Sequence, residues 1–108
     1  MDKPLYSLKE VHLILKEYKR LLRQRKIRTD ELYLFGSYAR HNPRPWSDID
    51  IAVVSPLFGR NPVQEGVLLD EAADEVSLAL EPHPVNSKEF RRGWDPFIAE
   101  IRKHGVKV

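Results

Sequence analysis

The sequence predicts an α/β protein, a small mixed β-sheet with helices packed on it. Three observations carry this. Segments with helical apolar spacing alternate with short apolar runs of strand length. Glycine, proline or serine punctuates the end of each run. Apolar residues make up 42% of the 108 residues and charged residues 31%, enough for one modest core under a polar surface. Residues 1–108 are accordingly read as a single domain.

Taken in order, Ser7 with Glu10 three residues on has the form of a capping box. Leu8, Val11, Leu15, Tyr18 and Leu22 then recur at helical spacing, with Ile14 and Leu21 beside them, and predict a helix over 8–26. Leu32 to Phe35, apolar on both faces, predicts a short strand ending at Gly36. Ser37 to His41 is expected to form the first turn of a short helix. Asn42 to Ser47 contains two prolines and reads as loop. Asp50 to Val54 predicts a second strand, stopped by Ser55-Pro56, with loop over 55–61.

Pro62 suits the opening turn of a helix. Val63, Val67, Leu68, Ala72, Val76 and Leu80 mark the expected buried stripe of that helix, which runs to about 79. Leu78 to Val85 predicts a third strand, placed at a sheet edge by Pro82 and Pro84. Asp95 caps and Pro96 opens a last helix, which Trp94 and Phe97 are expected to pack, with Ile101 inward and Gly105 as its stop. Val106 to Val108 predicts a terminal strand. The expected order is α-β-α-β-α-β-α.

Composition narrows the function classes. With no cysteine, disulfides and thiolate metal sites are excluded. No apolar run approaches the roughly 18 residues that span a bilayer. Met1-Asp2-Lys3-Pro4 lacks the apolar stretch of a signal peptide, so the cytoplasm is the expected compartment. Net charge is +2, yet Lys16, Lys19, Arg20, Arg23, Arg25, Lys26 and Arg28 crowd residues 16–28. They read as the solvated face of an amphipathic helix, or as an electropositive surface for a polyanion or acidic partner. The near-neutral total argues against a dedicated DNA-coating protein, and nucleic-acid binding stays open.

Residues 36–54 are the chemically informative stretch. Gly36 directly follows a strand, and glycine lets backbone approach an anion closely. Ser37 sits where a helix would begin, where unpaired amides and the positive helix end attract phosphate oxygens. Its hydroxyl adds a donor, and Arg40, one turn on, reaches the same place. Asp48 and Asp50 are two residues apart, so on a strand they project from one face while Ile49 and Ile51 point into the core. Two carboxylates on one face repel unless a cation lies between them, and an oxygen-only set suits Mg²⁺ or Mn²⁺. An EF-hand is not indicated, since no Gly-then-Glu pattern follows at its spacing. Trp46 is expected either to stack on a base or to pin its loop to the core, the second being preferred. Tyr38 and Arg44 flank the site, and His83, between prolines, reads as an exposed loop histidine or a nucleotide contact.

The pattern Gly-Ser, ten residues, then Asp-apolar-Asp-apolar resembles the nucleotidyltransferase superfamily of the DNA polymerase beta type. More narrowly, Phe35-Gly36-Ser37-Tyr38-Ala39-Arg40 and Ser47-Asp48-Ile49-Asp50-Ile51-Ala52-Val53 resemble the minimal nucleotidyltransferases, proteins of about this length often encoded beside a HEPN-domain partner. The resemblance implies the nucleotidyltransferase fold. It implies that Gly36, Ser37 and Arg40 bind the triphosphate of ATP or another NTP, and that Asp48 and Asp50 bind the metals. The family often carries a third carboxylate on the strand after the next helix, as metal ligand or base. Glu81 is the candidate here, with Asp74 and Glu75 as helical rivals. The implied activity is transfer of a nucleoside monophosphate, AMP by analogy, to an acceptor hydroxyl with two divalent metals. By the same analogy the acceptor is a tyrosine of a HEPN toxin and this chain its antitoxin. The alternative is a non-catalytic module that neutralises a partner protein by forming a complex. An oligomer is compatible with either.

Overall fold

Helix α1 (Leu8–Gln24) begins at the expected capping box. The Glu10 amide donates to Ser7 Oγ at 3.1 Å, and the Ser7 amide donates to the Glu10 carboxylate at 3.0 Å. The helix ends before residue 26 because Lys26 takes a left-handed conformation, φ 61°. These elements belong to a computed structural model that describes residues 4–108. Met1-Asp2-Lys3, on which the signal-peptide reading partly rests, lies outside the described residues. No helix among them is long and apolar enough to cross a membrane.

Strands β1 (Glu31–Phe35), β2 (Ile49–Ser55), β3 (Leu80–Asn86) and β4 (Val106–Lys107) form one sheet in the order β3-β2-β1-β4. β1 runs antiparallel to β2 and β4, and β2 runs parallel to β3. The sheet is therefore mixed, as expected. β2 lies inside it and is buried along nearly its whole length, which is why its sequence reads as a continuous apolar run. Pro82 and Pro84 fall on the edge strand β3. They are alternate residues, so the missing N–H groups lie on one side of the strand, the side an edge leaves free.

Strand parity divides the packing. Ile49, Ile51 and Val53 face α1 and α2 (Pro62–Val76), meeting Val11, Leu15, Leu22, Leu69 and Ala72. Ala52, Val54 and Val85 face the other way, toward Phe90, Ile98 and Ile101 of helices α3 (Ser87–Arg92) and α4 (Pro96–His104). Tyr18 ties the first layer together by donating its hydroxyl to the Leu69 carbonyl at 3.0 Å. Burial holds that hydroxyl far above the ordinary tyrosine range, so it stays a donor.

Four expectations are corrected. Ser37 to His41 is a hydrogen-bonded turn, closed by Arg40 N to Gly36 O and Asn42 N to Ser37 O; positive φ at His41 prevents its extension into a helix. The buried stripe of α2 is Leu69, Ala72 and Ala73, whereas Val63 is 78% exposed and Val67 and Leu68 are also exposed. The helix lies down on its small residues, stops at Val76 where Ser77 turns extended, and leaves Leu80 to β3. Helix α3 was not anticipated. Asn86 caps it by accepting from the Lys88 and Glu89 amides, and Gly93 closes it at φ 66°. The element order is therefore α-β-β-α-β-α-α-β. Finally, Trp94 packs nothing in the last helix; it is 84% exposed, beneath the Arg92 guanidinium.

Candidate active site

The layer of α3 and α4 covers Ala52, Val54 and Val85 but not the ends of the strands where Asp50 and Glu81 lie. Parity puts Asp50 on the same face as Ala52, and Glu81 and His83 on the same face as Val85. Phe35 pairs with Asp50 across β1 and β2, and Asp50 pairs with Glu81 across β2 and β3. The turn after Phe35 and the two carboxylates thus form one row across three strands.

Gly36 makes this row possible. Its φ is +76°, and a Cβ built on it would collide with the Asp50 carboxylate. Glycine is required here both for conformation and for room. The first amides of the turn precede the Arg40–Gly36 bond, and as at a helix start they are not consumed within it. Gly36, Ser37 and Arg40 line a cavity of about 340 Å³ together with Arg44, Phe97 and Glu100. Arg40 is exposed and ion-paired with Glu100 of α4.

On the acidic side, Asp48 is exposed at the last step before β2. The neighbouring Asp48 carboxyl raises the Glu81 pKa above its ordinary value; burial and the charge of Asp50 push the same way, and His83 opposes them. Crowded carboxylates repel one another unless a cation lies between them. Among the described residues, Asp50, Glu81 and His83 each bring a ligand atom within 4.8 Å of the others. His83 Nε2 lies 3.4 Å from Asp50 Oδ1 and 4.0 Å from Glu81 Oε1. The rivals Asp74 and Glu75 sit on α2, both exposed, and Glu75 pairs with Arg25.

Several neighbours depart from expectation. Tyr38 is buried in the core cluster, so it anchors the turn from beneath rather than flanking a ligand. Trp46 is 74% exposed under the Arg44 guanidinium and does not pin its loop. That loop is held instead by the Arg44 amide donating to Ser47 Oγ at 2.8 Å and by Ser47 N to Arg44 O. Phe97, expected to pack the last helix, is 40% exposed and packs its ring against Phe35 and His83. His83 is half-buried within the acidic cluster rather than free in a loop. The signal for it was its spacing of two from Glu81 on one strand; Asp48, expected to share Asp50's face by the same rule, precedes β2 and lies outside that group. Glu100 also went unnoticed, and lies three residues beyond Phe97 on α4.

Comparison with known proteins supplies the family. The profile of the nucleotidyltransferase domain matches residues 14–108. No curated protein matches significantly. Among solved structures, a candidate nucleotidyltransferase from Sulfolobus solfataricus superposes with a TM-score of 0.69 at 20% identity, over 93% of this chain and 80% of that one. Two mutant forms of the toxin–antitoxin MntA–HpeT superpose with TM-scores of 0.53 and 0.50 at 24% and 23% identity. They cover 87% and 90% of this chain, and 70% of the other chain in each case. At these identities the structural likenesses bear on the fold, which they share with the mixed sheet described above. The family match spans most of the chain and includes the strand row carrying Gly36, Asp50 and Glu81: the chain belongs to the nucleotidyltransferase domain family.

Proposed function

We propose that this chain transfers AMP from ATP to an acceptor hydroxyl, with the triphosphate seated on the Gly36-Ser37 turn and divalent cations held by Asp48, Asp50 and Glu81. One observation carries the reading. The turn, Asp50 and Glu81 are aligned in register across three adjacent strands, and Gly36 is packed so close to Asp50 that a Cβ there would meet the carboxylate. A phosphate cradle and a carboxylate cluster therefore share one place.

The carboxylates suit a cation by their chemistry: Asp50 and Glu81 bring oxygen donors within 4.8 Å of one another, and Asp48 stands beside them at the strand end. Bound there, divalent ions would activate the attacking oxygen and neutralise the leaving pyrophosphate. The chain's own part is positioning and electrostatics. The Ser37 hydroxyl and the turn amides orient the triphosphate, Arg40 and Arg44 add positive charge to the cavity wall, and the open strand ends leave room for a large acceptor.

The structural likeness to MntA–HpeT, itself a toxin–antitoxin, supports a protein acceptor. We read that acceptor as a HEPN-domain toxin modified on a tyrosine hydroxyl. The test incubates the chain with α-labelled ATP, Mg²⁺ or Mn²⁺, and the product of the neighbouring gene. Metal-dependent labelling of that product is expected, falling by at least about 100-fold for Asp48→Asn. Equal labelling by wild type and variant would overturn catalysis at this site. The second reading, neutralisation by binding alone, predicts that Asp48→Ala with Asp50→Ala still neutralises the partner; loss of neutralisation with complex formation intact excludes it.

A further inference from the structure

The Asp50–Glu81 pair has a third neighbour that a purely oxygen-ligated site would not need. His83 shares a strand face with Glu81, and its Nε2 is the atom that approaches both carboxylates, at 3.4 and 4.0 Å. Such separations are those of neighbouring ligands around one ion with bonds of about 2 Å. The ring is also held in place. Phe35 meets it edge-on at 5.0 Å, Phe97 packs at 5.7 Å, and the flanking Pro82 and Pro84 restrict the backbone on both sides. An imidazole fixed on two aromatic rings, with one nitrogen aimed at two carboxylates, is built to hold a position rather than to drift in solvent.

We propose that His83 is a nitrogen ligand of the divalent-metal site at Asp50 and Glu81, and that this mixed nitrogen–oxygen set selects a transition-metal ion over Mg²⁺. The inference rests on the reading of these carboxylates as a metal site and adds to it which ion the site takes. Carboxylate, carbonyl and water oxygens suit Mg²⁺, which keeps its water and gains little from imidazole. Zn²⁺, Fe²⁺, Ni²⁺ and Cu²⁺ suit imidazole nitrogen, and Mn²⁺, at home among oxygens, still takes it more readily than Mg²⁺, so a site offering it discriminates in favour of all of these.

The experiment uses Mn²⁺ as the probe, on the full chain without nucleotide. Electron spin-echo modulation of bound Mn²⁺ reports directly whether a nitrogen is coordinated. Wild type is expected to show a nitrogen-14 signal, and Mg²⁺ to displace Mn²⁺ only in large excess. In His83→Gln the signal disappears and the preference for Mn²⁺ over Mg²⁺ falls by at least about ten-fold, since even a ligand's hydrogen-bond partner is commonly worth that much. His83→Asp restores binding without nitrogen and shifts the preference toward Mg²⁺. Circular dichroism of both variants confirms the fold. A nitrogen signal that survives in His83→Gln, or is absent from wild type while Asp50→Asn abolishes Mn²⁺ binding, overturns the ligand role of His83 and leaves the proposed function standing. Wild type that binds no Mn²⁺ at all overturns the metal site itself.

Discussion

Gly36 concentrates two constraints at one atom. Any side chain there must adopt positive φ and displace the Asp50 carboxylate. Gly36→Ala is therefore expected to destabilise the fold by about 1–3 kcal/mol and to abolish label transfer, because relief of the clash moves Asp50. Urea unfolding and the transfer assay check both halves. Glu81 behaves oppositely. Its carboxyl is pressed by Asp48 and Asp50, so Glu81→Gln removes a repulsion along with the charge. The metal-free variant should melt higher than wild type, by an amount worth less than about 1 kcal/mol because the side chain is solvent-screened. It should also gain less stability from added Mn²⁺. A lower melting temperature without metal would contradict the crowding.

At the scale of elements, β4 is only two residues long and is held to β1 by side chains as much as by backbone. Lys107 Nζ lies 2.9 Å from the Glu31 carboxylate, which also accepts from the Tyr33 hydroxyl at 2.9 Å. Hydrogen bonding from Lys107 holds Glu31 below the ordinary carboxylate range, while Glu31 holds Lys107 above the ordinary lysine range. The depressed Glu31 retains its charge further into acid when folded than when unfolded. Its contribution is complete above the ordinary glutamate pKa and is lost as pH falls through the lowered value. Amide exchange of β4 should therefore speed up in acid relative to that of β2, and Lys107→Met should remove the difference. Ser7→Ala at the capping box of α1 should cost about 1 kcal/mol by thermal melting.

The elements also show how far the sequence could be read. Capping residues, proline starts and the apolar strands were legible because each depends on local chemistry: Ser7 with Glu10, Pro62, Asp95 with Pro96, Leu32 to Phe35. The stripe of α2 was legible only in Ala72 and Val76; Leu69 and Ala73 were not, because α2 packs closely on its small residues while Val63, Val67 and Leu68 face solvent. Helix α3 is six residues long and too short to show periodicity. In the proposed site, Asp48 and Asp50 rest on alternation and Glu81 on resemblance. His83 shares Glu81's face by its spacing of two, but only the β2–β3 register brings that face to Asp50, and Glu100 joins only through the lie of α4.

For the whole molecule, β2 is the keel between two apolar layers, and its burial leaves polar chemistry only at its ends. The two layers are unequal. α1 and α2 cover their face broadly, whereas α3 and α4 stop short of the Asp50 end. The Pro82–Pro84 pair on the outer strand has a consequence for crowding and association. A free strand edge ordinarily recruits other chains by offering alternate donors, and these prolines remove those donors along the side facing out. The rim beside the carboxylates is thereby closed to strand addition while still open to side chains and phosphates, a surface that admits a reactant but refuses a template. Replacing both prolines with threonine should quicken aggregation of the concentrated protein, read by light scattering, and unchanged scattering would show that another part of the surface does the guarding.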